Sequence, residues 1–119
     1  MSVFKVNVVA VNPTDNRCTT QLVALVDTGS ELTWFPRDLL TDIGVTPQRK
    51  RSFQTATKQM IQRDVGYAIL RAEGFETIDE VVFAEPGDMH LLGVRTLEGF
   101  GVMVDNLAHR FVATITLVA

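Results

Sequence analysis

Short apolar stretches, each closed by a turn signal, recur along most of the chain. Residues 4–11 and 75–84 are rich in β-branched and aromatic side chains, which predicts strands. Residues 19–26 predict another strand, and the last five of them are all apolar, which indicates burial on both faces. Residues 102–104 and 111–118 predict a closing pair of strands. The pattern is typical of a mainly β domain.

A long hairpin and two short helices complete the predicted elements. Residues 50–72 hold two alternating stretches on either side of residues 55–59, which predicts a hairpin. Residues 36–44 begin with proline and end with glycine, as short helices often do. One or two helical turns are predicted over residues 95–100. Many short strands with at most two helices predict a barrel or sandwich in a single domain.

Length and composition narrow the class of protein. The 119 residues allow one domain, and 46% apolar with 21% charged residues is ordinary for a folded chain. The 11 basic and 14 acidic residues leave no positive excess for a phosphate backbone, so nucleic acid is not expected as a partner. No apolar stretch approaches the roughly 20 residues of a membrane span, and the N-terminus does not resemble a signal peptide. A single cysteine, Cys18, excludes an internal disulfide, and we expect a cytoplasmic protein.

One segment carries candidate chemistry: Asp27, Thr28, Gly29 and Ser30, directly after the apolar strand. A carboxylate at the mouth of a buried strand is held firmly and is partly desolvated. Gly29 has no side chain, so its N–H can approach that carboxylate, and Ser30 can offer a hydroxyl. The same residues would also serve as a turn, or as a helix capping box from Thr28 to Glu31.

Two motifs together give this segment a wider context. Residues 25–30 read Leu-Val-Asp-Thr-Gly-Ser, and an apolar-apolar-Gly element follows in the second half, at Leu91, Leu92 and Gly93. In order and spacing the sequence resembles the retropepsin-like (retroviral-type) aspartic proteases and their bacterial and archaeal single-domain relatives. The resemblance covers about residues 3–112.

A third, weaker match concerns the substrate-covering flap of that family. The segment in the corresponding place comprises Thr55, Ala56, Thr57 and Lys58. Relatives usually carry glycine at the flap tip, and residues 55–59 contain none.

The resemblance implies one domain over residues 1–119: a closed β-barrel with a flap at about 50–72 and one or two short helices. It implies an endopeptidase that activates water between two carboxylates sharing one proton, without metal or cofactor. Because the chain has one Asp-Thr-Gly, the second carboxylate would come from another copy, which makes the active form a homodimer with Asp27 from each subunit. Thr28 would brace the paired loops, while the Gly29 N–H and the Ser30 hydroxyl would stabilise the carboxylates. The substrate would be a peptide or protein.

Two other readings stay open at this point. The chain could be a retropepsin-like peptide-binding or dimerisation domain without turnover, or Asp27 to Gly29 could be only a turn in an unrelated β domain.

Several surface and core assignments complete the expectations. Residues 49–51, Arg-Lys-Arg, are expected at the solvated base of the flap, and residues 34–36, Trp-Phe-Pro, in the core. The acidic residues Glu76, Asp79 and Glu80 are expected to face water. The alternating segment 111–119 is expected to pair across the twofold axis of a dimer.

Overall fold

Strands dominate the structure, as the alternating pattern predicts. It is a computed structural model that describes residues 4–119, and residues 1–3 of the predicted domain lie outside the described part. The elements are β1 (Lys5–Asn12), β2 (Asp15–Val26), β3 (Thr33–Pro36), α1 (Arg37–Asp42), β4 (Arg49–Gln54), β5 (Met60–Ala72), β6 (Phe75–Ala84), β7 (Leu91–Leu92), α2 (Val94–Phe100), β8 (Val102–Asp105) and β9 (Arg110–Ala113).

Seven strands form one sheet that returns on itself. Their order is β1-β2-β7-β3-β6-β5-β4, and β5 also pairs with β1, where Val9 lies opposite Arg71. Six strands therefore make a ring, and β4 is attached to β5 outside it. β8 and β9 form a separate pair. The prediction of an all-β fold with short helices is confirmed.

Alternating side chains fill the interior of the ring. In β1, Val6, Val8 and Ala10 are buried while Lys5 and Asn7 face solvent. This two-residue period directs one face of each strand inward. The largest fully buried side chains include Phe35, Phe83, Leu40, Leu70 and Leu92.

Two short strands are absent from the sequence prediction. β3 has four residues and β7 has two, too few to show a period. Of the predicted core segment 34–36, Phe35 is fully buried, whereas Trp34 and Pro36 are only half-buried.

The predicted strand over 111–118 is too long. β9 ends at Ala113, and residues 114–119 are exposed and form no strand. The Thr114 N–H still donates to the Gly101 carbonyl at 2.8 Å, but no strand of the described chain lies beside residues 115–119, so their β-prone pattern has no ladder to join.

β4 and β5 form the predicted long hairpin, called the hairpin below together with its turn at residues 55–59. Lys58 has φ of 66°, the left-handed conformation that glycine favours. The turn therefore lacks glycine but has the backbone shape for which glycine is normally chosen.

Two acidic residues do not face water as expected. Glu76 is exposed, but the side chains of Asp79 and Glu80 are only 9% and 4% exposed. Arginines from other elements surround Glu80, so burial of its charge is a tertiary effect that the local sequence does not reveal. Between residues 4 and 119, neither helix has the length and apolar character to cross a bilayer.

Candidate active site

The loop after β2 holds Asp27 by its backbone. The Asp27 N–H donates to the Leu92 carbonyl (3.0 Å), and the Ser30 N–H donates to the Asp27 carbonyl (3.1 Å). The Gly29 N–H donates to the Asp27 carboxylate at 2.8 Å. A Cβ at Gly29 would lie 3.2 Å from the same carboxylate oxygen, so glycine permits this close approach. The expected role of the Gly29 N–H thus has a matching geometry.

The next two site residues, Ser30 and Thr28, differ in the contacts that their side chains make. The Ser30 hydroxyl donates to the Leu32 carbonyl at 2.8 Å, not to Asp27 as the sequence suggested. It therefore stabilises the turn of the loop instead of the carboxylate. Thr28 is exposed.

Leu91, Leu92 and Gly93 lie directly beside this loop. β7 runs parallel to β2, with Leu25 opposite Leu91 and Val26 opposite Leu92. The structure therefore brings together the two motifs that the sequence places far apart.

Backbone contacts tie the start of α2 to the Asp27 loop. The Val94 N–H donates to the Ser30 carbonyl (2.8 Å), and the Arg95 N–H donates to the Glu31 carbonyl (3.0 Å). A Cβ at Gly93 would lie 2.4 Å from the Leu32 carbonyl oxygen. Glycine at 93 is thus required for the loop and the helix to meet.

A buried hydrogen-bond chain supports the same junction, and the sequence reading missed it. The Gly93 N–H donates to the Thr33 hydroxyl at 3.0 Å, and the hydroxyls of Thr33 and Thr96 are 2.6 Å apart. Thr96 donates to the Asp79 carboxylate at 3.0 Å, so Thr33 must be the donor to Thr96. Isolated threonines carry no sequence signal that would predict such a series of hydrogen bonds.

A cavity of about 790 Å³ opens between the Asp27 loop and the hairpin. Its wall comprises Asp27, Gly29, Ser30, Glu31, Leu32, Trp34, Arg51, Ser52, Phe53, Gln54, Thr55, Ala56, Ile61, Gly87, Asp88, Met89 and Leu91. The ring of Trp34 on the floor lies 5.1 Å from that of Phe53 on the hairpin, measured between centroids. The cleft therefore has an apolar contact between its floor and the hairpin, with Asp27 in its wall, and it has the size for part of a peptide.

The four residues assigned to the flap divide into two pairs. Thr55 and Ala56 line the cavity, whereas Thr57 and Lys58 are exposed at the turn and do not reach it. The Lys58 N–H donates to the Thr55 carbonyl at 2.9 Å and closes the turn.

Charged side chains also line this cleft, and the sequence did not predict them there. Arg51 was expected at a solvated base, but its side chain is only 28% exposed and bonds to Glu80. Asp88 accepts two hydrogen bonds from Arg63, which hold the pKa of Asp88 below its ordinary value.

Comparisons with known proteins find a match to this chain in structure but none in sequence. No family model matches the chain, and no curated protein sequence matches it. Among solved structures, the solution structure of simian foamy virus (mac) protease superimposes with a TM-score of 0.56 at 23% identity, covering 80% of this chain and 92% of that one. The chain has a retropepsin-like fold.

A second retropepsin-like structure agrees with the first. It is a foamy viral protease–reverse transcriptase in complex with double-stranded DNA, with a TM-score of 0.55 and 18% identity. The match covers 79% of this chain but 14% of that longer protein, so it concerns one part of it. Both likenesses describe the fold alone.

Proposed function

We propose that this chain is an aspartic endopeptidase whose active form is a homodimer, with Asp27 of each copy forming the catalytic pair. The observation that carries the proposal is the setting of Asp27. Its carboxylate accepts the Gly29 N–H at the edge of an apolar cleft lying under a hairpin. Such a site can bind a peptide and hold a carboxylate toward it.

Peptide hydrolysis needs both a base for water and an acid for the leaving nitrogen. Two carboxylates about 3 Å apart repel by roughly 5 kcal/mol at an effective dielectric of 20, so they share one proton. The ionised Asp27 then takes a proton from water while the protonated Asp27 of the second copy donates to the amide nitrogen.

The other carboxylates of the cleft are poor substitutes for a second Asp27. Asp88 is bound by both donors of the Arg63 fork, and its lowered pKa keeps it ionised when an acid is needed. Glu31 is exposed, and no hydrogen bond found among residues 4–119 fixes its carboxylate. A second copy therefore supplies the missing group most simply.

Exposed apolar side chains support association of two copies. Ile115, Leu117 and Val118 are 90%, 90% and 95% exposed, and they alternate or adjoin in a β-prone segment. A single chain leaves this surface in water, whereas pairing with a second copy would bury it.

Mixing experiments with the Asp27→Asn chain test the proposal. The Asp27→Asn homodimer should be inactive, and a mixed dimer, which holds a single carboxylate, should lose activity by about 10²–10⁴-fold. If subunits exchange freely, adding that chain to wild type should reduce activity with the square of the wild-type fraction. An Asp42→Asn chain, altered at an exposed residue of α1, should leave activity unchanged in the same mixtures.

Two outcomes would contradict the proposal in different ways. A decline proportional to the wild-type fraction, with exchange demonstrated, would mean that each chain holds a complete site. Peptide binding without any cleavage by wild type would favour a peptide-binding domain without turnover.

A further inference from the structure

The hairpin leaves the ring part-way along its length. β5 pairs with β6 from Ala72 to Val65, and the ladder stops there. Beyond Val65, among residues 4–119, the hairpin is held by the pairing of β4 with β5 and by side chains. Its attachment to the body therefore depends on side-chain contacts, which include Asp64 with Arg37 on the outer face and several ion pairs on the cleft-facing side.

Opposite residues of the two strands share that side. Arg51 lies opposite Arg63, and Phe53 lies opposite Ile61. Antiparallel partners point to the same face of the ladder, so the four side chains form two rungs. The charged rung is nearer the base, and the apolar rung is nearer the tip.

Glu80 of β6 binds two arginines of β4, the first strand of the hairpin. Its side chain is 4% exposed, and Arg49 donates to one carboxylate oxygen through two nitrogens, at 2.7 and 3.1 Å. Arg51 donates to the other oxygen at 2.9 Å, and Arg95 of α2 lies 3.5 Å from it. A buried carboxylate of this kind becomes costly once its partners leave.

Asp88, in the loop between β6 and β7, binds the second strand. Arg63 donates to its two oxygens at 2.7 and 2.9 Å, and both side chains are less than 20% exposed. This two-point geometry fixes direction as well as distance. Each strand of the hairpin is thus joined to the body by its own carboxylate.

The arginines lower the pKa of both anchoring carboxylates. Burial raises the pKa of Glu80, but the hydrogen bonds and charges of Arg49 and Arg51 outweigh this and the pKa lies below its ordinary value. The pKa of Asp88 is lowered by Arg63. Both carboxylates therefore stay ionised to a lower pH than an unpaired Glu or Asp would.

We propose that Glu80 and Asp88 are positioning residues that anchor the base of the hairpin, so that only the segment beyond Phe53 and Ile61 opens for a peptide. Anchoring sets the height of Phe53 above Trp34 and thereby the depth of the apolar cleft. The role in peptide binding rests on the proposed function, whereas the anchoring itself does not.

Hydrogen exchange tests the anchoring without reference to activity. In Glu80→Gln, amide exchange at residues 50–54 and 60–64 should quicken by roughly tenfold or more, because the base of the hairpin now opens. Residues 66–72, paired with β6 and β1, provide the internal reference. The matched control is Glu76→Gln, on the same strand but exposed and paired with Arg71, and it should exchange like wild type.

Kinetics test the positioning role. A hairpin that contacts bound peptide in both ground and transition states contributes uniform binding, so Glu80→Gln should raise KM roughly tenfold with kcat nearly unchanged. A merely structural defect would instead reduce the active fraction, which lowers apparent kcat and leaves KM as it was.

A second variant provides the same test if the Glu80→Gln protein does not fold. Arg51→Met removes one hairpin cation while Glu80 retains Arg49 and Arg95, and it should change exchange and KM in the same direction. If hairpin exchange in these variants matches wild type, or KM is unchanged in an active enzyme, the proposal is overturned. Absence of cleavage by wild type would refute the proposed function instead, and exchange alone would then decide the anchoring.

Discussion

At the residue scale, Gly93 shows how the space around the backbone decides which amino acid a position can hold. Its φ of −95° and ψ of 173° are extended values open to any residue. What excludes a side chain is the Leu32 carbonyl carbon and oxygen, which a Cβ would approach to 2.5 and 2.4 Å. The demand for glycine here is therefore steric and comes from a distant part of the chain.

Replacing Gly93 by Ala should destabilise the fold by about 2–3 kcal/mol, since the opposing atoms are backbone and cannot rotate away. Chemical denaturation would measure the loss. Gly74→Ala is the control: a Cβ there meets nothing within 4 Å, so only its φ of 85° adds strain, about 1 kcal/mol. Equal losses in the two variants would contradict the steric account.

Ser30 illustrates the limit of motif reading at the same scale. Its position beside Asp27 suggested a hydroxyl donor to the carboxylate, yet the hydroxyl bonds to the Leu32 carbonyl. Neighbours in sequence offer several acceptors within reach, and only the path of the loop selects among them.

At the element scale, the outer face of the hairpin has its own ionic contact with the body. Asp64 of β5 accepts a hydrogen bond from Arg37 of α1 at 2.7 Å and from Lys50 of β4 at 3.0 Å. Arg37 also binds Glu85, so the cluster joins three elements to the end of β6. The hydrogen bond from Arg37 and then that from Lys50 hold the pKa of Asp64 below its ordinary value.

A lowered pKa predicts how this contact depends on pH. The folded state keeps Asp64 ionised more readily than the unfolded chain, so the stabilisation is present above the ordinary carboxyl range and is lost as pH falls through the lowered value. Asp64→Asn should lose about 1 kcal/mol near neutral pH, an amount reduced by the partial exposure of Arg37 and Lys50. The difference from wild type should shrink as the pH falls below the ordinary carboxyl range.

Denaturant titrations at several pH values would measure this difference. Asp42→Asn, at an exposed site on α1, serves as the control for the substitution itself. A destabilisation of Asp64→Asn that stays constant from neutral to acid pH would show that the charge is not responsible.

At the scale of the whole molecule, the described chain leaves two kinds of group without a counterpart. One is Asp27, a single carboxylate in a proposed two-carboxylate chemistry. The other is the exposed segment 115–119, which carries three exposed apolar side chains and has no strand of the described chain beside it. A twofold dimer would supply both counterparts at once, since each copy offers the same surfaces.

The dimer is therefore expected to depend on that segment. Replacing Ile115 and Leu117 together by Ser should shift the protein to monomer and reduce activity in parallel, because two exposed apolar side chains are lost from the proposed interface. Sedimentation over a range of concentrations would report the assembly. Ile78→Ser, which removes an exposed apolar side chain of β6, should leave assembly unchanged. A dimer of undiminished affinity in the double variant would place the interface elsewhere.

Local patterns in the sequence determined most of the longer strands, the hairpin and the place of Asp27 at the end of an apolar strand. Periodicity and turn residues act over a few positions, so these features can be read without knowing the fold. Only the tertiary structure decided that β7 lies parallel to β2 beside Asp27, that Thr33 and Thr96 support Gly93, and that Glu80 is buried among arginines. Each of these depends on residues far apart in the chain, and the energy of burial or hydrogen bonding arises only once the ring has brought them together.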